Sequence, residues 1–211
     1  MNEQKRGRVL LYVLSVVYVI GMYSYPVLFY ISLSAGARGS EITIDLNGWV
    51  RVFFMVLPLA LGLVNLITVL IKKDLDRSCF LNCSLIIKYL LMPFYLFGGL
   101  CVVLAWLILF IPVPGVNFLG PIIGTTLAVM GYAGLIGAAP FSLTYIIKAG
   151  QDKTHPAWLC VLSGCSQFVF TLDVISILIL SLKEGKGRFA AIAALGLVML
   201  FAFVILYFII V

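Results

Sequence analysis

Tyr89 to Ile147, YLLMPFYLFGGLCVVLAWLILFIPVPGVNFLGPIIGTTLAVMGYAGLIGAAPFSLTYII, runs for 59 residues without a charged side chain. As one helix at about 1.5 Å per residue it would reach about 90 Å, roughly twice a whole bilayer, so the chain must double back. The reversal is readable at Pro112-Val113-Pro114-Gly115-Val116-Asn117. Two prolines there remove donors and fix φ, while glycine and asparagine accept a tight turn. On each side of the turn lies an apolar stretch long enough to cross a membrane. Hydrocarbon offers backbone N–H and C=O groups no partners, so such a stretch must be a helix or belong to a closed barrel. Barrel strands alternate in hydrophobicity, and these runs do not.

The same pattern extends outward. Val9 to Ala37, Val52 to Ile71 and Phe189 to Val211 carry no charge, and Thr154 to Leu182 carries only Asp173 if His155 is neutral. The chain of 211 residues is 64% hydrophobic and 10% charged, with a mean hydropathy of +1.20. A soluble domain is about 45–50% apolar and about 25% charged, and no water-soluble surface can be assembled here. The sequence therefore predicts an all-α, polytopic transmembrane helix bundle in the lipid bilayer, a single domain over residues 1–211 with short loops. Six spans are expected, near 9–33, 50–71, 86–111, 117–147, 157–182 and 189–211, the fourth of them broken. The first stretch exceeds the core of a cleaved signal peptide and holds Tyr12, Tyr18, Tyr23, Tyr25 and Pro26, which suit a retained helix.

Lys and Arg in short loops tend to stay in the cytoplasm. Lys5, Arg6 and Arg8 place the N-terminus inside, and the loop of Lys72, Lys73 and Arg77, bounded by Lys88, then falls inside as well. Six crossings put nine Lys and Arg inside and five outside, with Lys183, Lys186 and Arg188 on the wrong side. The last hairpin thus contradicts the rule. Ile67-Thr68-Val69-Leu70-Ile71-Lys72 also matches Leu143-Thr144-Tyr145-Ile146-Ile147-Lys148, as a duplication or as two similar basic loops following apolar helices.

Asp173 is the most informative side chain, because a carboxylate near mid-membrane costs a few kcal/mol and usually faces protein, water or an ion path. At 100° per residue, Ser163, Ser166, Gln167, Thr171 and Asp173 share one side of the expected fifth helix. Two readings stay open: a site for a cation, proton or polar solute, or polar glue between helices. Asn65 lies inside the second span and could donate to the same interior. Gly120, Gly124, Gly131, Gly134 and Ala138 give the fourth span a small-residue face suited to close helix packing. Pro26, Pro58, Pro93 and Pro140 each remove a helical hydrogen bond at depth and predict kinks or interruptions.

Cys79, Cys83, Cys101, Cys160 and Cys165 are an odd set, and the first two sit near a loop placed in a reducing compartment. No metal site is expected from them, since the only histidine is His155 in another loop. No cofactor motif and no catalytic motif such as His-Glu-x-x-His, Gly-x-Ser-x-Gly or a P-loop occurs, so the expectation is not an enzyme. The net charge of +6 belongs to loops facing anionic lipid, not to nucleic-acid binding.

The third span and its exit, Ile87-Lys88-Tyr89-Leu90-Leu91-Met92-Pro93-Phe94-Tyr95-Leu96-Phe97-Gly98-Gly99 followed by Ile111-Pro112-Val113-Pro114, resembles uncharacterised multi-pass membrane proteins of clostridial (Firmicutes) bacteria. That resemblance implies a bacterial inner-membrane location and carries no activity or site residues. Two functions remain in view. One is a small permease-like or channel-like protein moving a small solute or cation past Asp173. The alternative is a non-catalytic subunit or scaffold packing, through its small-residue helix, against a copy of itself or a partner membrane protein.

Overall fold

A computed structural model describes residues 3–37, 48–110, 113, 116–185, 192, 194 and 196 of the chain. Six α-helices account for nearly all of it: α1 (Glu3–Ala37), α2 (Gly48–Ile71), α3 (Arg77–Leu107, continued by a 3₁₀ turn at Ile108–Phe110), α4 (Val116–Gln151), α5 (Ala157–Ser166) and α6 (Leu172–Lys183). No strand occurs among the described residues. Four helices, α1 to α4, are long and apolar enough to cross a membrane. The sixth expected span, 189–211, lies outside the described residues apart from Ile192, Ala194 and Gly196, which are helical.

Side-chain contacts fix the directions of the helices. Tyr25 Oη donates to Met55 O and Ser24 Oγ to Phe54 O, while a Cβ on Gly21 would meet Leu61, so α1 and α2 are antiparallel. Ser84 bonds Ser142 near one end of α3 and α4, and Gly120 packs on Ala105 and Ile108 near the other, so this pair is antiparallel too. Tyr12 meets Asn82 and Tyr23 donates to Leu90 O, so α1 and α3 run the same way. The long stretch from Tyr89 to Ile147 does double back, in two helices.

Two departures from the expected spans matter for function. The fourth helix is unbroken through Pro121 and Pro140, and the break falls in the fifth stretch instead. There the backbone leaves the α-helix at Gln167, Phe168 and Val169, whose N–H groups bond three residues back to Gly164, Cys165 and Ser166. Thr171 then takes φ 71°, a left-handed value that a β-branched residue rarely adopts, and α6 starts in a new direction.

At about 1.5 Å per residue, α5 and α6 measure roughly 15 and 18 Å, too short to cross a hydrocarbon core of about 30 Å. Their outer ends meet: His155, just before α5, lies 3.7 Å from Glu184, just after α6. Glu184 also pairs with Arg77 at the start of α3. The fifth stretch is therefore a helical hairpin that enters and leaves the bundle at one end, with its tip at residues 167–171. It is not the single helix 157–182 expected from hydropathy.

The distribution of polarity reverses that of a soluble protein. Buried positions include Ser15, Asn65, Ser84, Ser142, Gln167 and Ser181, whereas Phe53, Val56, Leu59 and Leu63 of α2 are exposed. An apolar outer face costs nothing against lipid, and interior hydroxyls and amides then join helices that hydrophobicity alone cannot hold together.

Candidate functional site

The most deeply buried charges among the described residues form an ion pair. Lys88 Nζ bonds Asp173 Oδ2, and both side chains are 1% exposed. Lys88 was expected to bound a loop. The third helix starts at Arg77 rather than near residue 86, which places Lys88 three turns inside it. Asp173 lies in the first turn of α6, where the partial positive charge of a helix N-terminus favours a carboxylate. Lys88 is eleven residues from Arg77, and Asp173 eleven from Glu184. Both therefore sit about 16 Å from the shared end.

The hairpin tip supplies the polar surroundings. Gln167, fully buried, donates from Nε2 to Ser163 O at 3.0 Å and to Ser176 Oγ at 2.9 Å. Ser176 Oγ in turn donates to Asp173 O at 3.1 Å. Two acceptors remain without a hydrogen-bond partner among the described residues, Asp173 Oδ1 and Gln167 Oε1. Such atoms are costly in an apolar interior, and they are where a proton, water or cation would be held.

Of the side chains the sequence singled out, Asp173, Gln167 and Ser163 come together here. Ser166 is half-buried and turns its hydroxyl back to Ser163 O. Thr171 is exposed, because the break rotates it off the stripe that an unbroken helix would have made. Asn65 belongs to a different place: its Nδ2 donates to Gly137 O at 3.3 Å across α2 and α4. Lys88 was the residue missed. Ser84, Lys88, Met92 and Tyr95 recur at i, i+4, i+8 and i+11, so an interior face that includes a lysine was readable, although its partner was not.

The glycines of α4 are used within the chain. A Cβ on Gly134 would collide with Met22, one on Gly137 with Tyr18, one on Gly120 with Ala105 and Ile108, and one on Gly124 with Trp106. Gly131 faces Phe170 at the hairpin tip, and Ala138 is 1% exposed. Backbone also meets backbone between Gly62 and Gly137, where a Cβ on Gly62 would lie 2.9 Å from Gly137 Cα.

A second polar cluster closes the shared end. Arg77 bridges Asp152, Thr154 and Glu184, Arg8 pairs with Asp76, and Lys148 Nζ donates to Leu75 O. Tyr145 Oη donates to Glu184 Oε1 at 2.9 Å and lies 3.3 Å from His155 Nε2. Burial holds the His155 imidazole below its ordinary value of 6.5, against the pull of Glu184. A histidine kept neutral in the fold contributes stability that is complete above about pH 6.5 and is lost as the pH falls from there through the lower folded value. Thermal stability in detergent should therefore fall from pH 7 towards pH 5.5, and His155→Gln should flatten that slope. An unchanged slope in the variant means that other groups set it.

Above the ion pair, a cavity of ≈ 740 Å³ opens between α1, α3, α4 and the hairpin tip. Tyr95 and Thr171 line it and also line a smaller void of ≈ 50 Å³ with Met92 and Val174 beneath. Lys88 is one turn before Met92 on the same face of α3, so cavity, void and ion pair follow one another along the bundle interior. No family model, curated protein or solved structure matches the chain.

Proposed function

We propose that the protein is a permease-like carrier of a bacterial inner membrane that moves a small solute or cation, with Lys88 and Asp173 as its exchangeable charge. The observation that carries this reading is the pair itself, buried at mid-depth beside the tip of a hairpin that does not cross. Intramembrane charges are expensive, and where they occur they mark ion and substrate paths. Discontinuous helices that meet near the membrane midplane frame such paths in carriers. With Oδ1 of Asp173 unpartnered, an incoming proton or cation has an acceptor that need not first displace the lysine.

The basic end of the bundle is its cytoplasmic face. With the fifth stretch returning to that end, Lys183 leaves the sparsely charged side. Among the described residues, Lys183 then stands with the other basic side chains, as the positive-inside rule favours. The scaffold reading leaned on the small residues of α4, and those are occupied by Met22, Tyr18, Trp106 and Gly62 of the same chain.

Reconstitution into liposomes with an imposed proton gradient tests the proposal. Asp173→Asn keeps the shape and removes the charge. It should lower flux by at least about tenfold, the loss of about 1.4 kcal/mol of charge-dependent stabilisation, in protein that elutes as the wild type does, although the lysine left without its partner makes that fold less stable. Equal flux from wild type and empty liposomes, or undiminished flux in Asp173→Asn, overturns the carrier.

A further inference from the structure

The cavity of ≈ 740 Å³ has walls whose chemistry is selective. Phe94, Tyr95, Phe97 and Phe170 supply aromatic surface, and no charged side chain lines it among the described residues. An ionic group placed there would be buried without a counter-charge, at a cost far above that of a hydroxyl. Two tyrosine hydroxyls on the wall are already committed, Tyr23 Oη to Leu90 O at 2.7 Å and Tyr25 Oη to Met55 O at 3.1 Å. Two other hydroxyls are uncommitted. Tyr95 Oη is buried with no partner among the described residues, and Thr171 makes no side-chain bond to cap its own helix.

Thr171 is also the residue held at φ 71°, where a β-branched side chain is strained. Glycine would occupy that position at less cost, so a threonine there points to a use for its hydroxyl at the cavity floor. Access lies at Gly98 and Gly99. No described atom is within 4 Å of a Cβ built on either, and Phe97 and Gly99, on the cavity wall, are exposed.

We infer that this cavity binds an uncharged lipophile carrying a single hydroxyl group, drawn from the bilayer through the gap at Gly98 and Gly99, with its hydroxyl at Thr171 and Tyr95. The volume is within the roughly 300–1,000 Å³ of small-molecule pockets, and apolar walls with a few placed polar groups are their usual make-up. As a binding site the cavity stands on its own geometry. As the substrate site it rests on the carrier reading above.

The test uses the full chain in nanodiscs and a long-chain fatty alcohol bearing a photoreactive diazirine, with label sites mapped by mass spectrometry. Saturable labelling of cavity residues is expected, suppressed by excess plain alcohol and much less by its methyl ether or by the corresponding long-chain amine. Gly98→Leu places a side chain in open space and should lower labelling about tenfold with the fold intact. Thr171→Gly relieves the strained φ and removes the hydroxyl together with the rest of the side chain, so it should lower labelling about fivefold, near the value of one hydrogen bond, without loss of stability. Thr171→Asn should keep most of it.

The absence of saturable labelling in the wild type overturns the proposal. Labelling indifferent to both Gly98→Leu and Thr171→Gly overturns it too. An amine that competes as well as the alcohol removes the uncharged class. Proton flux without labelling sinks this inference alone, and labelling without flux sinks the carrier alone.

Discussion

Lys88→Met should destabilise the folded bundle by about 3–5 kcal/mol, because it leaves Asp173 buried opposite a thioether. The cost is that of an uncompensated charge and not the net worth of the pair, since taking two ions out of water offsets much of their attraction. Lys88→Met combined with Asp173→Leu removes both charges and fills similar space. That double variant should recover most of the loss and could exceed the wild type, as buried pairs replaced by apolar side chains often do. Unfolding by sodium dodecyl sulfate in mixed micelles, followed by helical content, measures all three. A double variant as unstable as the single one means that Lys88 contributes through something other than Asp173.

The same double variant separates structure from transport. A pair retained as glue between α3 and α6 can be exchanged for apolar packing without consequence. A pair that exchanges a proton or cation cannot, so the carrier reading requires a bundle that folds at least as well and carries no flux. Restored stability with wild-type flux would leave the pair structural.

Much of this was legible in the residues and part was not, for definite reasons. Helicity and the double-back at Pro112 to Asn117 follow from solvent chemistry, which acts on every residue of a long apolar run. Asp173 could be singled out because one carboxylate stands alone in such a run. Its partner could not, because the two lie 85 positions apart and pairing across that distance is decided by packing. Lys88 also follows Ser78, Asn82 and Ser84, which dilute the hydropathy of the first turns of α3 and make them resemble loop. Two of them find partners inside, Ser84 in Ser142 and Asn82 in Tyr12. The break at 167–171 contains neither glycine nor proline. Phe168, Val169, Phe170 and Thr171 are only weakly averse to helix, so the local signal was too small to outweigh the apolar pattern.

The hairpin has the most visible experimental consequence. A fifth stretch that crossed would place residues 151 and 183 on opposite faces of the membrane, whereas α5 and α6 return to where they began. In a chain with its five cysteines replaced by alanine or serine, Gln151→Cys and Lys183→Cys are exposed positions on either side of the hairpin. Gln4→Cys reports the N-terminal end of α1, and Trp49→Cys, at a position 80% exposed, reports the opposite end of the bundle. A membrane-impermeant maleimide should label positions 4, 151 and 183 from one face only, and position 49 from the other. The expected contrast is all or nothing, since moving the loop after α6 across the bilayer would break the contacts of Glu184 with Arg77, Tyr145 and His155 together. Labelling of position 183 from the face of position 49 would make the fifth stretch a true crossing. Asp173 would then lose its place at the tip of a returning hairpin, and the physical basis for an exchangeable charge there would go with it.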